Sequence, residues 1–567
     1  MVEVIRNREV ADLLERLSLL SEASGDDRFK VIAYRRAATS VRNLAEDIDE
    51  VRRRGGLTEI QYVGEGIAKK IDEYLATGKL DYLERLEKRV PEGTIELMQV
   101  PGIGPRTAHK LSKDHGVKSI AQLKAELEAG KLTGALGEVM SKRILESIEK
   151  MKTGQPRMLL VEALFLSQDL VSYFTTRGLR VDVAGSLRRG RSTVGDIDIL
   201  CGDGEAAELL MGYPGVDRAL EKGSTRTSVL LKNGVQVDVR VVREEEYGAA
   251  LLYFTGSKEH NIALRNLSIE KGRKLNEYGL FELKTGERIA GRTEKEVYQK
   301  LGLAFIPPEL REATGELEAA EKGKLPALVE ARDLRGDLQM HSTWSDGADE
   351  LEQMARAAKE RGYEYIAFTD HSYSVGIANG LSEERFRRQW DVIDQLNEEL
   401  KPFRILKGVE AEVRSDGGLD YDREFLENFD MVGASIHQAY RQTPEKLTDR
   451  AVKALSHACV DVLFHPTNRL IGRREGNPID LPRVIATARE NGKMLEIDGS
   501  PTRLDLDEVW ARKAMEEGVT LLVDSDAHST GELENVKYGT IVARRAWLEK
   551  KDVANTLPLK SLLRKLS

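Results

Sequence analysis

Between residues 335 and 567 five apolar runs recur: YEYIAFTDH (363–371), FDMVGASIH (429–437), CVDVLFHP (459–466), KMLEIDG (493–499) and VTLLVDSDAH (519–528). Each ends in His, Asp or both, and amphipathic helical patterns separate them. Short apolar strands alternating with helices predict a parallel sheet wound by crossover helices. In a barrel of such strands the C-terminal strand ends open on one mouth, so side chains distant in sequence meet there. The histidines divide accordingly: His109, His115 and His260 precede this region, whereas His341, His371, His437, His457, His465 and His528 lie within it. Glu410, in KGVEAEV, and the two SDx motifs add carboxylates. Imidazoles and carboxylates gathered at one mouth suit zinc, manganese or iron, and several such ions together can hold a hydroxide in line with a phosphodiester.

The net charge of -9 would count against a nucleic-acid partner, but it is unevenly placed. Residues 335–567 hold 33 Lys and Arg against 41 Asp and Glu, while residues 1–334 hold 53 against 54, so the first part is nearly neutral. A length of 567 residues corresponds to three to five domains. Two cysteines, Cys201 and Cys459, cannot build a disulfide framework, which fits a cytosolic chain. No run approaches the ~18 apolar residues of a membrane span, and the start MVEVIRNREVADLLERL reads as an amphipathic helix rather than a signal peptide.

Residues 1 to about 150 are helical in pattern, with apolar residues three and four apart. Within them, YVGEGIAKKI (62–71) and VPGIGPRTAHKL (100–111) repeat apolar-x-Gly-x-Gly-x-x-x-Ala, with Gly64 and Gly66 in one copy and Gly102 and Gly104 in the other. Glycines two apart allow a tight hairpin whose following helix presents free N–H groups to a phosphate oxygen, or whose carbonyls hold a monovalent cation. Such a contact is blind to base sequence. By spacing alone Lys69 and Lys70 read as a solvated helix face; the other reading is that Lys70, if supplied as neutral amine, forms a Schiff base with an abasic-site aldehyde.

From about 157 strands dominate, as in DIDILCG and VQVDVRVV. Asp196 and Asp198 stand two apart and share a face, on which their carboxylates can bridge two divalent cations. Asp238 supplies a third, pointing away from Val235, Val237, Val239 and Val241. Gly185-Ser186 followed by Arg188-Arg189 forms a turn with exposed N–H groups, a hydroxyl and guanidinium groups that suits a triphosphate. This combination indicates two-metal nucleotidyl transfer.

With AYRRAA (33–38), KKIDEYLATGKL (69–80), VPGIGP, GSLRRG, GDID and LLYFTGSKEHNIALR (251–265), residues 1–315 resemble a family X DNA polymerase. DLQMHSTWSDG (337–347), FTDHS, KGVEAEV, SIH, FHP and SDAH make residues 335–567 resemble the PHP domain fused to bacterial and archaeal members. The resemblance implies a multidomain α+β polymerase core followed by a distorted seven-stranded (β/α) barrel. Expected boundaries are a lyase-like helical domain at 1–85, fingers at 86–150, a nucleotidyltransferase palm at 151–244, a thumb at 245–315, a charged, partly helical linker at 316–334 and the barrel at 335–567.

It further implies Asp196, Asp198 and Asp238 as carboxylates for Mg or Mn. Gly185, Ser186, Arg189 and Gly195 would meet the triphosphate, Tyr253 and Phe254 the sugar, Asn261 the base edge and Arg265 the template. Lys70 falls where the family's Schiff-base lysine lies, with Lys30 and Tyr34 beside a 5'-phosphate pocket; Gly66 stands where lysine-bearing members place a phosphate contact. The barrel ligands for Zn, Mn or Fe would be His341, Asp346, His371, Glu410, His437, His465, Asp526 and His528, with Asp370 orienting a ligand. Gln339 replaces a His found in many members. The implied activity is gap-filling synthesis in base-excision repair by a cytoplasmic, nucleoid-associated monomer acting on gapped or nicked DNA with deoxynucleoside triphosphates. The barrel would be a 3'-5' exonuclease that also acts at abasic sites. Two rival readings are a polymerase with a silent barrel and a non-catalytic scaffold for DNA ends.

Overall fold

The computed structural model describes residues 3–566 apart from 25, 27, 43–47, 61, 92, 99, 101, 154–156 and 203. Pro101 of the second Gly-x-Gly repeat thus lies outside the described residues. The chain divides into two units, residues 1–155 and, apart from 472–474, residues 156–567.

The first unit is helical, as the three-and-four spacing requires. One apolar cluster joins Val10, Leu14, Leu17 and Leu20 of the helix Glu3–Ala23 to Tyr34, Ala37 and Val41 of Arg28–Arg42 and to Ile71 of Glu65–Thr77. A second gathers Leu97, Ile103, Leu111, Leu123, Leu127, Ile144 and Ile148. Each Gly-x-Gly repeat leads into a helix: Gly64 caps Glu65–Thr77 and Gly104 caps Pro105–His115, and neither cap has a side-chain hydrogen bond.

In the second unit a five-stranded sheet runs Val181–Val183, Asp196–Cys201, Gln236–Val241, Arg226–Leu231, Val216–Lys222 from edge to edge. Asp196–Cys201 and Gln236–Val241 pair in parallel and the other neighbours are antiparallel. One face carries Ile197, Ile199, Val237 and Val239 into a core shared with Leu170 and Phe174 of the helix Leu160–Thr175. The helices Tyr247–Thr255 and Lys258–Glu270 and a three-stranded antiparallel sheet follow.

The segment 316–334 begins with the helix Glu316–Glu321 and is anchored at Glu316, Ala320, Val329 and Leu334, with 321–324 exposed between them. Glu316 is fully buried against His260, and the Val329 N–H donates to the Leu548 carbonyl.

Seven strands from Gly336–Asp337 to Leu521–Asp524 then form one parallel sheet in sequence order. A parallel bridge between Met340 and Ala527, with the His341 N–H donating to the Ala527 carbonyl at 2.8 Å, joins the first strand's extension to the last. The result is a nearly closed barrel. Its strand residues are mostly buried, because helices cover the barrel outside and side chains fill it inside, and Glu410, Glu412, Glu496, Asp498 and Asp524 are among the carboxylates buried with them.

Candidate functional site

Asp198 lies directly opposite Asp238 across the parallel pair, and Asp196 opposite Gln236. Each of the three aspartates offers a carboxylate oxygen to a group whose members lie within 4.8 Å of one another. Gly185 makes this possible: it sits at φ +63°, and a Cβ there would fall 2.2 Å from Asp198 Oδ2. Arg226 and Gln236 donate to Asp238 at 3.2 and 3.1 Å. Burial, then repulsion from Asp196 and Asp238, pushes the Asp198 carboxyl up to about 7, and burial with Asp238 raises Asp196. Three crowded carboxylates whose charges repel are the donor set that divalent cations fit.

Beside them a cavity of about 670 Å³ is lined by Gly185, Ser186, Arg189, Asp196, Asp198, Tyr253, Phe254, Asn261 and Arg265, all anticipated from sequence. Gly195 and Asp238 are not among its lining residues, although Asp238 completes the carboxylate group behind it. Two of these side chains are held in place by neighbours. Asn261 Nδ2 donates to the Tyr253 carbonyl at 2.7 Å, and the Arg240 guanidinium stacks 4.1 Å from the Phe254 ring. Arg157, Arg191 and Glu312 also line the cavity and were missed; Arg157 and Glu312 are brought in by packing of separate segments, whereas Arg191 follows Arg189 by two residues.

The barrel mouth gathers a second constellation around Glu410, which is 1% exposed. His371 Nδ1 lies 3.0 Å, His437 Nε2 3.3 Å, His341 Nε2 3.5 Å and His465 Nε2 2.9 Å from its oxygens. His341 Nε2 is also 3.3 Å from Asp526, while His371 and His528 each stand 3.6 Å from Asp346. Two groups converge closely enough for a shared ion: His341, Asp346, His371 and His528, and His371, Glu410 and His437. His341 Nε2 and Glu410 Oε2 are buried without a hydrogen-bond partner, and such lone pairs facing one another fit cations. Against the burial that opposes charge, Glu410 and Glu412 push His437 up to about 10, and Asp346 and Asp526 push His528 up to about 9. Burial and Arg503 instead bring His465 down to about 4. Ligation by His437 or His528 therefore expels a proton.

Asp370 stands outside these groups and accepts from Ser342 and Gln389 side chains. Glu412 was missed: it holds His437 through Nδ1 at 3.0 Å and the backbone N–H at 2.9 Å, and its only sequence signal was its place two residues after Glu410. Gln339 is fully buried and turned to Glu496, to which its amide nitrogen donates at 3.1 Å in the orientation that satisfies both; it joins neither ligand group. His457 lies apart, accepting from the Cys459 N–H.

In the first unit Lys70 Nζ donates to the Gly66 carbonyl at 2.8 Å and lies 4.9 Å from the Tyr82 ring centre and 5.9 Å from that of Tyr34. Burial and the nearby Lys30 lower its pKa. Lys30 bonds Asp26 and Tyr82. An added Cβ at Gly64, Gly66, Gly102 or Gly104 would meet nothing within 4 Å, so the space outside both hairpins is open to an approaching backbone.

Four family profiles match: a helix-hairpin-helix domain over residues 5–80, a SAM-like helix-hairpin-helix tandem over 94–150, the DNA polymerase beta thumb over 250–312 and the PHP domain over 337–496. The chain is 38% identical to the DNA polymerase/3'-5' exonuclease PolX of Bacillus subtilis (strain 168), over 98% of its own length and 99% of the relative's. It is 29% identical to DNA polymerase lambda of Arabidopsis thaliana over 54% of its length and 62% of the relative's. A probable phosphatase of Acetivibrio thermocellus matches 32% of the chain at 32% identity, with 74% of the relative covered. Among the described residues no helix is long and apolar enough to cross a membrane.

Proposed function

This chain is a member of the family X DNA polymerases that carry a C-terminal PHP domain, and from that premise we propose that it fills short gaps in duplex DNA during repair. It is a DNA polymerase and a 3'-5' exonuclease. The observation that carries the synthetic reading is the strand register that sets Asp198 against Asp238 beside the arginine-lined cavity.

Two cations, Mg or Mn, held by Asp196, Asp198 and Asp238 would supply activation of the primer 3'-hydroxyl and charge neutralisation as pyrophosphate departs. The chain's own part is positional. Ser186, Arg189 and the backbone at Gly185 and Gly195 would bind the triphosphate. Tyr253 and Phe254 would flank the sugar, Asn261 would read the base edge with its amide pinned by the Tyr253 carbonyl, and Arg265 would meet the template.

In the barrel, His341, Asp346, His371, Glu410, His437, His465, Asp526 and His528 would hold a Zn, Mn or Fe cluster supplying a hydroxide for phosphodiester cleavage at 3' ends and abasic sites. Glu412 would fix the His437 ring for that task. The Gly-x-Gly hairpins would grip the backbone of gapped or nicked DNA, aided by a monovalent cation, and Lys70, with its lowered pKa, would supply the lyase amine. Cytoplasmic residence as a monomer completes the proposal. One rival reading has an observation in its favour: the engagement of Gln339 with Glu496 leaves one fewer donor at the mouth, consistent with a silent barrel.

The test is extension and degradation of one gapped duplex by the intact protein, Asp196→Ala/Asp198→Ala and His341→Ala/His371→Ala. The first pair is expected to abolish synthesis alone and the second degradation alone. Loss of both reactions in both variants would refute separate sites; absence of degradation by the intact protein would leave the silent barrel.

A further inference from the structure

The rim of the nucleotide cavity is held from behind by the barrel. Gly190 (φ +66°) lies against the barrel helix Val536–Arg545 so closely that an added Cβ would fall 2.4 Å from Ile541 Cγ2. At the end of that helix Arg545, its side chain 2% exposed, donates through Nη1 to the Arg189 carbonyl at 2.6 Å and to Glu312 Oε1 at 3.1 Å. Its Nη2 donates to Glu508 Oε1 at 2.8 Å. The same two carboxylates receive the cavity's arginines: Arg189 Nε reaches Glu312 at 3.1 Å, and Arg191 Nη1 reaches Glu508 at 3.3 Å and Glu312 at 3.8 Å. Arg189, Arg191 and Glu312 line the cavity, whereas Arg545 and Glu508 do not.

The cluster therefore sets three guanidiniums against two carboxylates. An incoming triphosphate must draw Arg189 and Arg191 towards its oxygens, which takes from Glu312 and Glu508 two of their three guanidinium partners near an anion. Arg545 remains with both carboxylates and compensates them. Without it the two pairs would balance, and the carboxylates would compete with the nucleotide for the arginines.

We propose that Arg545, from the barrel helix Val536–Arg545, is a positioning residue for the polymerase reaction, neutralising Glu312 and Glu508 so that Arg189 and Arg191 are available to the nucleotide's phosphates. The inference rests on the polymerase reading above and adds to it a role for the barrel in binding the nucleotide.

The test is steady-state incorporation of one nucleotide into a gapped duplex by the full chain, with triphosphate concentration varied. Arg545→Gln is expected to raise KM for the triphosphate roughly tenfold, within the usual range of coupling between sites, with much less change in kcat. Arg545→Gln/Glu508→Gln, which restores the charge excess, is expected to recover most of that loss. A structural role would lower kcat as well and would not be rescued by deleting a second member of the cluster. If Arg545→Gln does not fold, Glu508→Gln carries the test, with a lowered KM expected and an unchanged or raised one overturning the proposal. Unchanged KM in Arg545→Gln, or no recovery in the double variant, overturns it as well. Failure of the unsubstituted protein to extend a primer would overturn the polymerase reading and this inference together; extension with any of the adverse KM results overturns this inference alone.

Discussion

Replacing Gly185 by alanine should separate the two activities from a single methyl group. The added Cβ would lie 2.2 Å from Asp198 Oδ2, where real contacts are not found under 3.0 Å, so the carboxylate must retreat by roughly 1 Å. The strand cannot yield instead, since Asp198 is fixed opposite Asp238 in a central parallel pair. A displacement of about 1 Å at reacting groups lowers turnover by about a hundredfold. The left-handed backbone at φ +63° adds about 1–2 kcal/mol of local strain for a residue with a Cβ. Single-nucleotide incorporation on a gapped duplex is the assay, with 3'-end degradation measured on the same preparation. Incorporation should fall about a hundredfold, degradation should stay near that of the unsubstituted protein, and raised Mg should recover part of the loss. Gly204→Ala, where a Cβ meets nothing within 4 Å, is the control. Incorporation within about threefold of normal in folded Gly185→Ala, less than 1 kcal/mol by the rate relation, would refute the claim that this contact sets the aspartate geometry.

Other outcomes follow from the same structure. Glu410→Gln removes the carboxylate shared by four imidazoles; it should cut exonuclease activity by more than the about 10–100-fold typical of outer partners and lower the bound metal per chain, and unchanged metal content would count against the assignment. Glu412→Ala should fall within that about 10–100-fold range, with primer extension unaffected. Burial takes the pKa of His260 below its ordinary 6.5 despite the Glu316 carboxylate 2.7 Å away. The unfolded chain therefore takes up the proton first as pH drops below 6.5, and stability declines from there towards the folded pKa with no contribution above it. Thermal unfolding at pH 7.5 and 5.5 should show a smaller difference for His260→Gln than for the unsubstituted protein; equal differences would contradict this. Borohydride should trap the chain on an abasic 5' end through Lys70, and Lys70→Ala should trap at background; equal trapping would remove Lys70 from that role.

The aspartate pair was legible in sequence because strand periodicity alone puts Asp196 and Asp198 on one face. The barrel was legible because each apolar run finished in a ligand type, and parallel strands collect their ends. Composition and motif therefore pointed to the fold class, to the aspartate and histidine clusters that the structure brings together, and to the two Gly-x-Gly helix connections. Periodicity says nothing about which strand lies beside which. Only the folded sheet paired Asp198 with Asp238, and only there do burial and the two neighbouring carboxylates raise Asp198 to about 7. Nor does any motif mark Arg157, Glu312 or Arg545, whose places depend on segments that pack together from far apart in the chain. The segment 316–334 shows the same limit: its charges read as a linker, yet Glu316 is fully buried because His260 and the Ala313 and Thr314 N–H groups donate to it. Local sequence fixes the type of side chain and the face it occupies; the partner across the sheet or interface, and with it the charge state and reach of each group, is a property of the tertiary structure.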